Sequence, residues 1–397
     1  MKRQMIVLNL AMTIAVTFGM ARYGFGLFLP DIAADFSLSP AQLGLISSST
    51  YIAYFSATLI SLLWTSALGA RAMLAIGVAL ATFGMAIIGT ATTLAALIAG
   101  FIIAGASPGL VFSPTSEAIS ITFSPGRRGV AFSMANAGEG VGAVLSAVLL
   151  MIVWPDWRMA WLLFSAVALI SLLLSWRTTP PGTASATRSA REALRATVAM
   201  FAWSGRALLI SSFILGVTTT VFWTFAGALG ADETVSISGF RLALRVILWI
   251  TVGFASIAGV IAAPLLSRHG LRSTYALSIV AVAVALGLSA FAQQSLSLLL
   301  ISGAAFGTAY IMATSQLGAW SLVVHHALPS AGFGLTFLAF AVGAVVGPTI
   351  AGWIIESSGF STVFLVSAAV TLLLLLFMPA DPNPKGTPSH ASGQTDC

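Results

Sequence analysis

Charged residues are scarce in this sequence: 17 Lys and Arg and 11 Asp and Glu occur among 397 residues, a share of 7%. Soluble domains carry roughly 25% charged residues, because charge keeps their surfaces in water. Hydrophobic residues make up 58% of the chain. The composition therefore excludes a large soluble domain and predicts a protein that lies in lipid.

Cysteine and histidine are also rare. The single cysteine is Cys397, the last residue, so neither an intrachain disulfide nor a thiolate metal site is expected. The four histidines are His269, His325, His326 and His390. We expect them in loops or in the tail, where they cannot build a haem, metal or acid–base site within the membrane. The sequence also lacks a Walker-type phosphate loop, so ATP should not drive the protein. We predict no enzymatic activity and no cofactor.

Long apolar segments are what the sequence has instead. A helix that crosses the hydrocarbon core needs ~20 apolar residues, and segments of about this length come in two sets of six. The first set is 5–29, 41–66, 72–91, 94–122, 129–153 and 159–176. The second set is 207–230, 243–266, 273–292, 296–324, 332–355 and 361–379. Strands of a membrane barrel are disfavoured, because the segments are too long and do not alternate. We therefore predict an all-α membrane protein with twelve transmembrane helices in two six-helix bundles.

Basic residues predict how these helices are oriented. Thirteen of the 17 Lys and Arg fall on the side of the N-terminus, and only Arg158, Arg241 and Arg245 fall on the other. Because cytoplasmic loops are enriched in Lys and Arg, we predict that both termini are cytoplasmic. Such loops also account for the net charge of +6, so nucleic acid is not an expected partner.

The chain divides into four predicted parts. Residues 1–176 form an N-terminal bundle, and residues 207–380 form a C-terminal bundle. Residues 177–206 form a cytoplasmic linker rich in Pro, Ser, Thr and Arg, either solvated or with a short helix on anionic headgroups. Residues 381–397 are polar and rich in proline and should be disordered.

Short motifs recur between the two halves at an offset of about 200 residues, which indicates an internal repeat. Three pairs carry this inference: Gly69-Ala70-Arg71 with Gly270-Leu271-Arg272, Gly105-Ala106 with Gly303-Ala304, and Gly138 and Gly142 with Gly343 and Gly347. We predict that a pseudo-two-fold axis relates the bundles.

Over nearly its whole length the sequence resembles the major facilitator superfamily. The segment 267–272 resembles the loop motif D-R-x-G-x-R of that family, and 66–71 resembles its first-half copy. Both copies carry Ser where the family has an acid that helps to latch the cytoplasmic gate. The segment 21–26, followed by Leu29-Pro30, resembles a group of poorly characterised bacterial permeases, which implies a location in a bacterial inner membrane. The resemblance implies a solute site between two bundles that rock to expose it alternately.

The resemblance also suggests residues with gate or structural roles. Gly343, Gly347 and Pro348 resemble a G-x-x-x-G-P motif of antiporters, but they lie in the eleventh span rather than the fifth, so the antiporter label is not transferred. Small residues one turn apart suffice for close helix packing. The remaining gate candidates lie near the cytoplasmic side: Arg71, Arg127, Arg128, Arg268, Arg272 and Glu117.

Three charged residues fall within the predicted spans: Arg22, Glu117 and Glu139. Charge inside lipid costs ~2.5–3.5 kcal/mol on insertion scales, so each is a candidate functional residue. Glu117 lies near the cytoplasmic end of its span, where an ion-pair network with nearby arginines is the plainest interpretation. Glu139 is a candidate proton carrier or the partner of a permanent ion pair with Arg22. Arg22 presents a planar fork that suits a carboxylate or phosphate, or it pairs with Glu139 or Asp31.

Other polar and aromatic side chains could line a solute cavity, although each of them alone is more often a packing residue than a ligand. These candidates are Tyr51, Tyr54, Asn136, Trp223, Tyr310 and Gln316. Arg241 and Arg245, one turn apart, either gather anions at the outer side or extend to the interface near Asp232 and Glu233.

These features predict a secondary transporter for a small organic anion such as a carboxylate. We expect the proton gradient to drive it through Glu139, lipid to surround it, and a monomer to suffice. The alternative within transport is efflux of amphipathic, drug-like compounds through an aromatic cavity, with Arg22 and Glu139 locked in a pair. A receptor is disfavoured, because the sequence leaves no room for a soluble output domain.

Overall fold

The structure is a computed structural model that describes residues 2–180, 205–230, 234–237, 240–259, 262–325 and 329–380. Most of the predicted linker and all of the predicted tail lie outside these residues. Ten helical stretches of the described chain are long and apolar enough to cross a membrane. One of them, Gly332–Leu376, is 45 residues long, and a further apolar helix, Leu244–Ala258, is shorter. The protein is therefore a helical, multi-pass membrane protein.

The N-terminal half contains seven α-helical elements within the described residues. They are α1 Lys2–Ile14, α2 Gly24–Phe36, α3 Pro40–Thr90, α4 Leu94–Thr122, α5 Pro125–Asn136, α6 Gly138–Val153 and α7 Trp157–Thr178. A π-helical segment, Ala15–Arg22, joins α1 to α2, so the first crossing runs on to Phe36 rather than ending near residue 29. The predicted fifth span is likewise divided, because α5 and α6 meet at Ala137.

The C-terminal half begins with α8 Arg206–Phe225, which a 3-10 turn extends to Gly230. An antiparallel hairpin of β1 Thr234–Ile237 and β2 Phe240–Ala243 follows. The remaining elements are α9 Leu244–Ala258, α10 Ala262–Ser289, α11 Leu296–Val324 and α12 Pro329–Leu372. The hairpin corrects the sequence analysis, which gave strands no place. It lies in the polar connection before α9, where short runs of β-branched and aromatic residues favour strands.

Three helices turn sharply at glycines with positive φ. Gly69 in α3 has a φ of 79° and Gly270 in α10 a φ of 77°. These glycines occupy the same place in the two copies of the repeated motif, so the sequence repeat corresponds to one backbone conformation. Gly359 has a φ of 82° and divides α12 in the same way. Glycine adopts this region without the steric cost that a Cβ brings.

The two faces of the protein follow from the direction of the chain. We name the face where α1 begins and where α3 turns at Gly69 the terminal face. The opposite face, where α2 ends and α3 begins at Pro40, is the distal face. The halves pack together through α3 on α12 and α6 on α9. Gly140 and Gly253 permit the second contact, since a Cβ at Gly253 would lie 2.6 Å from the carbonyl oxygen of Gly140.

Candidate functional site

A cavity of about 290 Å³ lies between the two halves. It extends from Arg22 and Glu139 in the middle of the protein to Gly129, Leu322 and Phe333 near the terminal face. Arg22 and Glu139 are the charged residues among the described residues that line it. The cavity therefore joins the two residues whose charge stood out in the sequence and leads from them towards the terminal face.

Glycine contacts between the first and fifth crossings position these two residues. A Cβ at Gly138 would lie 3.1 Å from the backbone nitrogen of Ala15, and one at Gly142 would lie 2.8 Å from Cα of Gly19. α6 can therefore approach the π-helical segment to backbone contact. Since Arg22 ends this segment and Glu139 follows Gly138, the close approach brings both into the cavity. The sequence analysis used Gly138 and Gly142 only as evidence of the repeat.

Arg22 is surrounded by aromatic rings and is 9% exposed. Its guanidinium carbon lies 4.3 Å from the ring centre of Tyr54 and 4.8 Å from that of Tyr51. The rings of Phe18 and Tyr23 follow at 5.5 Å. Cation–π contacts of this kind contribute about 0.5–2 kcal/mol each. They stabilise the cation without neutralising it.

The predicted ion pair of Arg22 with Glu139 or Asp31 is not formed between these described residues. Asp31 pairs with Arg245 instead, and Glu139 accepts a hydrogen bond from Tyr23. The Nε atom of Arg22 is buried without a hydrogen-bond partner in the described part of the chain. Hence Arg22 keeps both its charge and a donor for an anionic ligand.

Glu139 takes part in a chain of hydroxyl groups that crosses between the halves. The Tyr23 hydroxyl donates to Glu139 Oε2 over 3.1 Å, and it lies 3.0 Å from the hydroxyl of Tyr310 in α11. Because a phenol has one proton to donate, Tyr310 donates to Tyr23 while Tyr23 donates to Glu139. Sequence reasoning missed the role of Tyr23, and its only signal was its position directly after Arg22.

The other predicted ligands fall into two layers. Tyr54, Asn136, Tyr310 and Gln316 line the cavity, and Asn136 Oδ1 and Gln316 Oε1 are buried without hydrogen-bond partners among the described residues. Tyr51 and Trp223 lie behind the wall. Tyr51 is under the Arg22 guanidinium. The indole of Trp223 stacks on the Tyr23 ring, with centroids 3.8 Å apart and planes inclined by 11°.

Two contacts close the distal face between the halves, and the first of them involves a buried arginine. Arg245, only 2% exposed, donates from Nη2 to Asp31 Oδ1 over 2.8 Å. Glu356 in α12 accepts from the Ser39 hydroxyl at 3.1 Å. The sequence analysis was wrong to treat Arg245 as a free anion collector, since it is buried in this ion pair, whereas its contact with the acids before β1 stays a prediction. Those acids and the side chain of Arg241 lie outside the described residues.

A third acid near this face forms an ion pair within one half. Asp35 Oδ2 accepts from Arg158 at 2.5 Å and from the Trp157 indole at 2.8 Å. Arg158 Nε also donates to the carbonyl oxygen of Ala91, over 3.1 Å. These contacts join α2, α3 and α7 of the N-terminal half, and they place no bond across the interface.

At the terminal face, the predicted gate arginines bind backbone carbonyls. Arg71 Nε donates to Thr179 over 2.6 Å, and Arg128 Nη2 donates to Ser120 over 2.9 Å. Glu117 is half-buried on α4, and its carboxylate pairs with none of the arginines in the described part of the chain. Arg127 and Arg268 are exposed, and Arg272 follows the turn at Gly270. The gate roles of these residues stay predictions.

The glycine motif of α12 packs that helix on α8 and α3. A Cβ at Gly343 would lie 2.9 Å from the Val217 nitrogen, and one at Gly347 would lie 2.6 Å from Thr220 Oγ1. The carbonyl carbon of Pro348 would meet a Cβ at Gly44 at 3.0 Å. These contacts give Gly343, Gly347 and Pro348 a packing position, which agrees with close helix approach at small residues.

His325 ends α11 near the cavity opening. The side chain is 7% exposed rather than solvated as expected for a loop histidine, and burial lowers its pKa below the usual value. Its Nε2 has no hydrogen-bond partner within the described residues. In that same part of the chain, no three His, Cys, Asp or Glu side chains are close enough to hold a metal ion.

Comparison with known proteins gives the fold and the family a name. The chain is 32% identical to monocarboxylate transporter 13 of Rattus norvegicus over an alignment of 169 residues. This alignment covers 42% of this chain and 39% of that protein. The chain is also 31% identical to monocarboxylate transporter 11 of Mus musculus over an alignment of 157 residues, which covers 39% of this chain and 35% of that protein. The aligned segments thus span well under half the length of these relatives.

The fold matches a solved transporter over nearly the whole chain. A mutant of the nucleoside transporter NupG superposes with a TM-score of 0.76 at 16% identity, covering 94% of this chain and 98% of that one. Identity this low supports the fold alone. The family model of the Major Facilitator Superfamily matches residues 11–256 and 208–395. The chain belongs to the Major Facilitator Superfamily of secondary transporters.

Proposed function

We propose that the protein carries a small organic anion, a carboxylate, together with a proton by alternating access. The observation that carries this proposal is the state of Arg22: a buried guanidinium in the cavity, held by aromatic faces, with no carboxylate of the described residues bound to it. Arginine keeps its charge in proteins and its planar fork suits a carboxylate. In this proposal Arg22 binds the substrate and Glu139 carries the proton.

The positions of the two residues suggest how the steps are coupled. A substrate anion on Arg22 cancels the positive charge that favours an ionised Glu139 nearby. Glu139 then takes a proton, since a carboxyl group away from water is more stable neutral. With both charges compensated, the loaded cavity costs less to close off from water. Substrate and proton cross together.

The architecture supports this cycle. The cavity extends to the terminal face, while Arg245–Asp31 and Glu356–Ser39 join the halves at the distal face. We propose that transport exchanges these two arrangements by rocking of two bundles of six helices, twelve spans in all. The excess of basic residues at the terminal face supports a cytoplasmic location of that face and of both termini, in a bacterial inner membrane.

Two comparisons bear on the substrate. The relatives that align with about two fifths of this chain are named monocarboxylate transporters. A carboxylate ligand for Arg22 is consistent with those names. Efflux of amphipathic compounds stays the second candidate, because phenylalanine rings line the cavity. It is less well supported, since the locked Arg22–Glu139 pair that it assumed is not present between these residues.

Uptake into proteoliposomes under an imposed pH gradient tests the proposal. We expect the wild-type protein to concentrate a carboxylate inside acid-outside vesicles. Glu139→Gln should abolish concentration but retain exchange of substrate between the two sides. Glu117→Gln is the matched control, because this acid also lies in a span but outside the cavity wall. If Glu139→Gln accumulated substrate to the same level as the wild type, proton coupling through this residue would be refuted.

A further inference from the structure

Phenylalanine dominates the cavity wall beyond Arg22 and Glu139. Six rings contribute: Phe18, Phe112, Phe132, Phe333, Phe337 and Phe340. The first three come from the N-terminal half and the last three from α12 in the C-terminal half. An apolar ligand body in this cavity would therefore contact both halves at once.

The rings form a continuous row that begins beside the Arg22 guanidinium. The ring centre of Phe18 lies 5.5 Å from the guanidinium carbon and 6.0 Å from the ring centre of Phe112. Phe112 in turn faces Phe333 across the interface, with centroids 5.8 Å apart and planes inclined by 10°. A molecule whose anionic end binds Arg22 would thus lay its remainder along aromatic surface.

The same wall offers one cation. Among the described lining residues, Arg22 is the only positively charged side chain and Glu139 is an acid. A second carboxylate on the ligand would be buried without a counter-ion, and the effective penalty for such a charge is several kcal/mol. The unpartnered acceptors of Asn136 and Gln316 suit a hydroxyl or amide donor on the ligand, and neither side chain carries a charge that would neutralise a second carboxylate.

The cavity volume limits the size of the ligand. About 290 Å³ is near the lower end of the ~300–1,000 Å³ that small-molecule sites span. A single ring with a short acid side chain fits such a volume, whereas a polycyclic amphiphile does not. Burial of the ring is favourable by roughly 25 cal/mol per Å² of apolar surface, so the body of the ligand adds to the affinity that the carboxylate provides.

We propose that the transported anion is a monocarboxylate with a compact aromatic or branched apolar body. Its carboxylate binds Arg22, and its body lies between Phe18, Phe112 and Phe333. This inference rests on the proposed carboxylate transport and makes it more specific. It predicts two preferences of the binding site. The protein should bind a ligand with one carboxylate more tightly than one with two, and a ligand with a ring more tightly than one with a small polar body.

A binding series on the purified full-length protein tests both counts. Phenylacetate is the probe. Acetate lacks the ring, phenylsuccinate adds a carboxylate, and phenethylamine replaces the acid with a cation. We expect phenylacetate to bind at least roughly tenfold more tightly than each of the others, since a buried group that is lost or unpaired changes discrimination by this order.

Substitutions of Phe112 test where the ring binds. Phe112→Ala should weaken phenylacetate binding about tenfold but acetate binding less than about twofold. The affinity of Phe112→Leu for phenylacetate should lie between those of the wild type and Phe112→Ala. Phe83→Ala is the control, because Phe83 is 64% exposed on the outer surface. Equal loss for phenylacetate and acetate would contradict a ring site at Phe112.

The outcomes separate this inference from the proposed function. If acetate binds as tightly as phenylacetate and Arg22→Gln abolishes binding, carboxylate transport stands and the ring specificity is wrong. If phenylsuccinate binds as tightly as phenylacetate under the same condition, carboxylate transport stands and the preference for a single carboxylate is wrong. If phenethylamine alone binds, the carboxylate function itself is refuted. Should Phe112→Ala fail to fold, as thermal unfolding would reveal, the four-ligand series on the wild-type protein decides the question.

Discussion

The hydroxyl groups of Tyr23 and Tyr310 lie 3.0 Å apart and connect the two halves of the protein beside Glu139. While Glu139 is ionised, Tyr23 donates to it and accepts from Tyr310. A protonated Glu139 can donate instead, and Tyr23 is then free to donate to Tyr310. The direction of this contact between the halves therefore depends on whether the proposed proton carrier is loaded.

Tyr310→Phe should uncouple substrate movement from the proton gradient. The change removes the hydroxyl that responds across the interface and leaves the ring against Trp223, whose centroid is 5.6 Å away. We expect accumulation under a pH gradient to fall at least about tenfold while substrate exchange without a gradient continues, because a lost hydrogen bond of ~1.4 kcal/mol changes an equilibrium by that factor.

Tyr275→Phe provides the control for this change, since Tyr275 is buried in α10 and does not line the cavity. It should accumulate substrate as the wild type does. A Tyr310→Phe protein with full accumulation would show that the hydroxyl chain is structural only.

Arg22→Lys should weaken substrate binding even though it preserves the charge. Lysine offers a compact ammonium in place of a planar fork, and it spreads its charge less well over the faces of Tyr51 and Tyr54. We expect Kd to rise by roughly tenfold or more, measured by calorimetry with phenylacetate. Arg71→Lys, at a residue that donates to the backbone of Thr179, should bind as the wild type does. Full affinity in Arg22→Lys would exclude a two-pronged contact with the carboxylate.

Asp31→Asn should loosen the distal face. The pair of Asp31 with Arg245 crosses between the halves, and Arg245 is almost fully buried, so removal of its counter-charge leaves an unpaired cation there. A cysteine in place of Ser47 can report the opening. In the native protein the Ser47 hydroxyl lies 3.0 Å from the Thr224 hydroxyl across the same interface, and Ser47 is buried. In a Cys397→Ser background, we expect Ser47→Cys to react faster with a thiol reagent once Asp31 is replaced.

Asp35→Asn gives a matched comparison for this experiment. The ion pair of Asp35 with Arg158 joins α2 to α7 within the N-terminal half, so its loss should leave the labelling rate unchanged. Equal rates in the Asp31 and Asp35 variants would show that the Asp31–Arg245 pair does not hold the distal face closed.

The features that the membrane environment constrains most strongly could be predicted from the sequence. The length of the apolar segments indicated helices, because few structures other than helices satisfy all backbone hydrogen bonds in hydrocarbon. Arg22 and Glu139 stood out because charge there is costly. The two positive-φ turns at Gly69 and Gly270 were visible as a repeated motif. Each of these inferences needed only local pattern.

Contacts between distant segments could not be predicted in the same way. Arg245 had acids closer in the sequence than Asp31, and nothing local favoured a partner 214 residues away. Tyr23 and the phenylalanines of the cavity looked like ordinary apolar packing, because their roles arise only when the halves meet. The hairpin before α9 was missed since short strands in a polar connection give little periodicity.

Gly343→Ala should destabilise the protein because α12 touches the backbone of α8 at this point. A Cβ there would lie 2.9 Å from both the carbonyl carbon of Phe213 and the nitrogen of Val217, and neither backbone atom can move aside cheaply. Overpacking of this kind costs typically 1–3 kcal/mol, so we expect a lower Tm in detergent. Gly287→Ala is the control, since its Cβ would meet only Ala368 Cβ at 3.9 Å.

The same pair of variants distinguishes packing from an antiporter role for the glycine motif. If Gly343 only permits close approach of two helices in the C-terminal half, Gly343→Ala should lower Tm while the residual folded protein keeps the wild-type ratio of proton-driven uptake to exchange. A changed ratio at unaltered Tm would contradict the packing role, because a contact within one half should not alter coupling between the two.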